Sequence, residues 1–157
     1  MATKNDSATA DRELVITRTF QAPRTLVFRA WTEPELLIRW WGPDGFTNTF
    51  HSIDVRPGGI WSYTMHGWGR DFPNRVTYRI VEPPSRLVYL HDSGIDNDPE
   101  GFDVEVLFEE EDSKTIVTMR SIFHSPAVRE KVIREYGAIE GAQQTMNKLG
   151  AFLATIQ

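Results

Sequence analysis

The chain contains no cysteine, which excludes disulfides, thiolate metal ligands and cysteine nucleophiles. It has no apolar run near the ~20 residues that a membrane-spanning helix needs. It also lacks a basic block. Lys and Arg number 17 against 22 Asp and Glu, a net charge of −5, so neither a nucleic acid nor a membrane is expected as a partner. The first residues have no basic start followed by an apolar stretch, as a secretory signal would. Residues 1–12 are therefore expected to form a disordered tail and residues 13–157 a single cytoplasmic domain. A chain of 157 residues with 40% hydrophobic and 25% charged residues can bury a core without staples.

Motifs for common chemistries are missing as well. None of His51, His66, His91 and His124 stands at metal-ligand spacing from another, and there is no His-Glu-x-x-His. Gly67-Trp68-Gly69 begins a dinucleotide fingerprint but lacks its third glycine. No serine sits in a nucleophile elbow. Neither a metal nor a cofactor is expected.

What is present is periodicity. Glu13 to Phe20 alternates as a strand. Ala22-Pro23 opens a helix bearing Leu26, Val27, Ala30 and Trp31 on one stripe. Thr32-Glu33-Pro34-Glu35 reads as a capping box for a second short helix ending near Trp40. Neighbouring helical positions point apart, so Trp40 and Trp41 should not both be inside. From Phe46 the period becomes two. Strands are expected over 46–56, 60–66, 75–82, 86–91, 102–110 and 115–123, with a loop at 67–73 and an acidic loop at 92–101. Ser125-Pro126 caps a last helix expected to run unbroken to about Thr155, with Val128, Val132, Ile139, Ala142, Met146, Leu149 and Leu153 on its apolar stripe. Short connections between strands favour antiparallel neighbours. The sum is an α+β domain, a curved antiparallel sheet of about seven strands around a long C-terminal helix.

The alternation places Trp61, Tyr63 and Met65, then Tyr78, then Tyr89 and His91, then Phe102, then Met119 on the face toward that helix. On the strand from Phe46, His51 shares a face with Ile53 and Val55. An apolar wall with a few polar tips suits a small-molecule site. From the helix, Ile139 and Met146 face the same space, and Gln143 lies near it as a hydrogen-bonding group. Glu135 falls on the apolar stripe, where a carboxylate is costly unless paired or wet. It is expected to pair with His51 or His91 or to meet a ligand. Gly137 and Gly141 cost the helix stability. Either close packing of the sheet or space for a ligand would account for them.

Four segments are similar to a known family. They are Pro23-Arg24-Thr25-Leu26-Val27-Phe28-Arg29-Ala30-Trp31 continuing to Trp40-Trp41-Gly42-Pro43, Asp54-Val55-Arg56-Pro57-Gly58-Gly59, Pro83-Pro84-Ser85-Arg86-Leu87-Val88-Tyr89, and Glu140-Gly141-Ala142-Gln143-Gln144. They resemble, in order, the motifs of the domain named after the activator of the Hsp90 ATPase. The resemblance spans about Glu13 to Phe152. It implies the helix-grip fold of START-like proteins, polyketide cyclases and the major birch-pollen allergen, with a cavity between sheet and helix. It does not by itself imply one activity. Three readings follow. The first is a carrier of a small hydrophobic molecule, monomeric or homodimeric. The second is a cyclase or dehydratase with His51 or His91 as base and Tyr63, Tyr78 or Glu135 orienting the substrate. The third is a co-chaperone-like interaction domain. Chaperone activation is the least expected, because only about twelve residues precede the domain where the eukaryotic activator carries a further domain.

Overall fold

The computed structural model describes residues 8–157. Most of the expected tail, residues 1–7, lies outside the described residues. Within the rest of it, Ala10–Arg12 form a single 3-10 turn, and the Arg12 guanidinium donates to the Phe123 carbonyl at 2.6 Å. The elements that follow are β1 (Glu13–Phe20), α1 (Arg24–Thr32), α2 (Pro34–Leu37), β2 (Thr47–Ile53), β3 (Ile60–Gly67), β4 (Arg70–Glu82), β5 (Arg86–Asp92), β6 (Phe102–Glu111), β7 (Lys114–Ile122), α3 (Pro126–Tyr136) and α4 (Ala138–Thr155). The seven strands form one antiparallel sheet in the order β1-β7-β6-β5-β4-β3-β2. This is the α+β architecture that the periodicity predicts and the helix-grip arrangement that the resemblance implies. Among the described residues no helix is long and apolar enough to cross a membrane.

The sheet is bent by two bulges, where the β2–β3 register slips between Phe50 and Ser52 and the β4–β5 register between Tyr78 and Ile80. A bulge adds one residue to one strand and increases local twist and bend. The concave face carries the buried rows Trp61 and Tyr63, Val76 and Tyr78, Leu87 and Tyr89, and Val104, Val106 and Phe108. α4 lies across this face, anchored at both ends of the curve. On the β1 edge Arg18 donates to Asn147 Oδ1 at 2.8 Å and Gln143 Oε1 at 2.6 Å. On the other side Lys148 Nζ donates to the Gly42 carbonyl at 3.0 Å, and Gln144 Oε1 accepts from the Asp44 amide at 3.1 Å.

Four local expectations are corrected. The C-terminal helix is not continuous. Ser125 caps α3 through a 3.1 Å bond from the Val128 amide, as the sequence predicts, but Gly137 adopts φ 61, ψ 43 and separates α3 from α4. This left-handed conformation ends a helix at no steric cost only for glycine, whereas an L-residue there costs about 1–2 kcal/mol. Gly137→Ala is therefore expected to lower stability by about 1 kcal/mol in urea unfolding, and Gly137→Asn by less. Unchanged stability in the alanine variant would contradict the break.

Second, α2 stops at Leu37, so Trp40 and Trp41 lie past it and are not held apart by helical geometry. Trp40 is buried and donates to the Ala30 carbonyl at 3.0 Å, while Trp41 is half-buried beside it. Third, the expected capping box does not form. α1 continues through Thr32, whose hydroxyl donates back to the Phe28 carbonyl at 2.8 Å. Fourth, the expected loop at 67–73 is a tight turn. β4 begins at Arg70 and includes Pro73, opposite Thr64. Proline fits there because β5 ends opposite Arg75, so this stretch of β4 pairs on one side only. The turn itself is Trp68-Gly69, with Trp68 at φ 55. Asparagine is the residue usually found in such a turn.

Candidate functional site

Between α4 and the sheet lies an inner chamber of about 240 Å³. Its wall is mainly apolar. Leu14, Phe102, Val104 and Met119 come from the strands, Phe123 from the residue after β7, and Ala138, Ala142 and Met146 from α4. Gly141 is part of this wall. A Cβ built there would meet Pro43 at 3.6 Å, an ordinary contact, so the sheet does not crowd it out. The missing side chain leaves space. Outside the chamber is a vestibule of about 630 Å³. Pro43, Met65, Asn74, Tyr136, Gly137 and Gly141 line both spaces and form the neck between them.

One corner of the chamber is polar. The Trp41 indole N–H donates to Tyr63 Oη at 2.9 Å. His91 Nε2 lies 2.8 Å from Asn74 Oδ1 and 3.3 Å from Tyr63 Oη. The tautomer follows from these bonds. Asn74 Nδ2 donates to the Phe72 carbonyl at 2.9 Å, which turns Oδ1 toward His91, so Nε2 must carry the proton. A protonated Nε2 cannot accept from Tyr63. The hydroxyl proton of Tyr63 therefore has no acceptor in the protein among the described residues, and Tyr63 is part of the chamber wall. Burial pushes the His91 imidazole down to about 4, against a smaller opposite pull from Asp92. Burial also raises Tyr63, Tyr78 and Tyr89. The corner is thus uncharged at neutral pH, with a phenolic O–H ready to donate.

Seven of the thirteen side chains singled out in the sequence meet at this chamber: Tyr63, Met65, Tyr89, His91, Phe102, Met119 and Met146. Trp61 and Tyr78 face inward but are packed in the core behind it. Trp61 stacks on Tyr63 with centroids 4.3 Å apart. The other four lie elsewhere. His51 is the extra residue of the β2 bulge, so Phe50 and Ile53 take the inner face. His51 points outward to Thr64 Oγ1 at 2.8 Å. The other three lie outside the chamber, although Val132, Ala142 and Met146 of the same predicted stripe line it. The Glu135 side chain is 50% exposed beside Arg134, Ile139 is 36% exposed, and Gln143 accepts from Arg18. Glu135 pairs with neither histidine.

The residues that the sequence did not offer are Asn74 and Trp41. Asn74 follows a proline at the end of a stretch that reads as loop, and Trp41 carries only the expectation that it and Trp40 are not both inside. Among the described residues no group of histidines and carboxylates could hold a metal ion. Thr49, His66 and Asp71 are linked at 2.8 and 2.7 Å in the order of a nucleophile triad. They lie on the outer face of the sheet, and neither cavity includes them. They serve as a cross-strand polar ladder.

Residues 21–154 match the family described as "Activator of Hsp90 ATPase homolog 1-like protein". The chain belongs to this family. Solved structures agree along almost its full length. A protein from Nitrosomonas europaea superposes with a TM-score of 0.82 at 27% identity, covering 94% of this chain and 97% of its own. A protein from Mycobacterium smegmatis gives 0.84 at 27% identity, covering 95% of each. Comparison with curated proteins finds no match. Family membership therefore establishes the helix-grip framework, while the chemistry must be argued from the chamber of this member.

Proposed function

We propose that this protein holds a small, uncharged, aromatic or polycyclic molecule in the inner chamber, with a ligand oxygen accepting from the Tyr63 hydroxyl. The observation that carries this reading is the unspent proton of Tyr63 in a mainly apolar wall. A buried donor without a partner costs about 1–3 kcal/mol, and a ligand carbonyl, ether or phenol oxygen would satisfy it. Such a site fixes orientation through one or two polar contacts and takes its affinity from apolar burial.

Binding without turnover is favoured over a cyclase or dehydratase reaction. A general base works best with a pKa near the operating pH, and His91 is held near 4. His51, the other candidate base, is on the outer face.

Native mass spectrometry of the protein purified from its own host tests the proposal. The expected result is a reproducible co-purifying small molecule, displaced by added 1-naphthol. No adduct, together with no binding of 1-naphthol, would contradict it.

A further inference from the structure

The vestibule is larger than the chamber, and a molecule confined to the chamber would leave it unused. Small-molecule sites commonly enclose about 300–1,000 Å³. The chamber alone, at about 240 Å³, falls below that range, whereas the vestibule offers about 630 Å³. Its wall is also unlike the chamber's. Phe46 and Phe72 each pack edge-to-face with Trp68, with centroids 5.3 and 6.0 Å apart, and lie tilted to each other at 6.2 Å. Trp68 combines two unfavourable features. It is 60% exposed, and it holds a left-handed backbone conformation in a turn that suits asparagine. Its ring contacts with Phe46 and Phe72 are at the vestibule wall.

The charges differ as well. The chamber wall carries no Asp, Glu, Lys or Arg. The vestibule is lined by Asp44, Glu100 and Glu140 with Arg70. Glu100 is paired with Lys131, and the Arg70 guanidinium sits 4.8 Å above the Phe72 ring. Among the described residues, the carboxylates of Asp44 and Glu140 have no ion pair or hydrogen bond. Aromatic rings beside unpaired carboxylates favour a cation and disfavour an anion.

We propose that the ligand has two parts: an uncharged ring system seated in the chamber, and a tail ending in a protonated amine that passes the neck and lies against Trp68, near Asp44 and Glu140. This rests on the small-molecule reading of the chamber, and its test separates the two. The probes are 1-naphthol, which has the ring system alone, and three 1-naphthyl ethers with a four-carbon tail ending in an amine, an alcohol or a carboxylate. Affinities are measured by calorimetry at neutral pH. The amine is expected to bind about tenfold tighter than 1-naphthol, followed by the alcohol and then the carboxylate.

Trp68→Asn and Glu140→Gln should each remove most of the amine's gain. Because asparagine suits the turn, Trp68→Asn should melt no lower than the parent protein, so its loss of binding cannot be ascribed to misfolding. Equal affinities for the three tails, a carboxylate equal to the amine, or a gain that survives either substitution would overturn the two-part ligand while leaving the chamber reading intact. Failure of 1-naphthol itself to bind would overturn both.

Discussion

Ala142→Phe is expected to abolish binding of 1-naphthol, lowering its affinity on the order of 100-fold or more, without unfolding the protein. Ala142 lies on α4 and is part of the chamber wall. A phenyl group there would take up much of the space of about 240 Å³. Overpacking a filled core costs about 1–3 kcal/mol, whereas filling a void is neutral or stabilising. The two readouts therefore work together. Loss of binding with an unchanged or raised melting temperature is expected of an open ligand chamber. A large drop in melting temperature would mean that the space is already filled by its own side chains. Retained binding would place the ligand elsewhere.

The second large effect is on acid stability. The His91 imidazole titrates near 6.5 in the unfolded chain and is pushed down to about 4 by burial in the folded protein. Between these values the unfolded state binds more protons than the native state, so stability rises with pH across that window. Above 6.5 both states are neutral at this site and nothing is lost. As the pH falls from 6.5 to 4, the folded state is progressively penalised, by a total of order 3 kcal/mol. His91→Gln keeps an N–H for Asn74 Oδ1 but cannot titrate. Urea unfolding of both proteins from pH 8 to pH 4 should show the parent losing stability relative to the variant by this amount, chiefly between pH 6.5 and 4. Parallel profiles would show that His91 is not desolvated and would restore it as a possible base near neutral pH.

Much of the architecture was legible in the sequence, because period-two alternation and short polar turns specify antiparallel strands directly. Where strands are regular the alternation assigns the sheet face that meets α4, and Tyr63, Met65, Tyr89, His91, Phe102 and Met119 lie along the chamber. The failures share a physical cause. A local irregularity, a bulge or a helix break, takes individual side chains off the face that an unbroken period gives them. The bulge after Phe50 turned His51 outward, and nothing in Thr47–Ile53 announces it. Gly137 was visible as a costly helix glycine, but whether it packs closely or terminates the helix depends on its φ of 61. Glu135, Ile139 and Gln143, near or beyond that break, are not part of the chamber wall. Asn74 was hidden by Pro73, which is tolerated in β4 only because β5 ends opposite Arg75. The one residue that fixes the His91 tautomer thus lies in a stretch that local sequence reads as loop.

The central claim, an occupied chamber beneath α4, has a built-in reporter. The chain has four methionines, and Met65, Met119 and Met146 all line the chamber. Methionine methyl-labelled protein, titrated with 1-naphthol and followed by NMR, measures occupancy directly. The expected result is that these three signals move together, with one saturating affinity. If the three signals remain fixed as 1-naphthol is added to saturation of any other observed shift, the chamber does not bind a small aromatic molecule and the account fails.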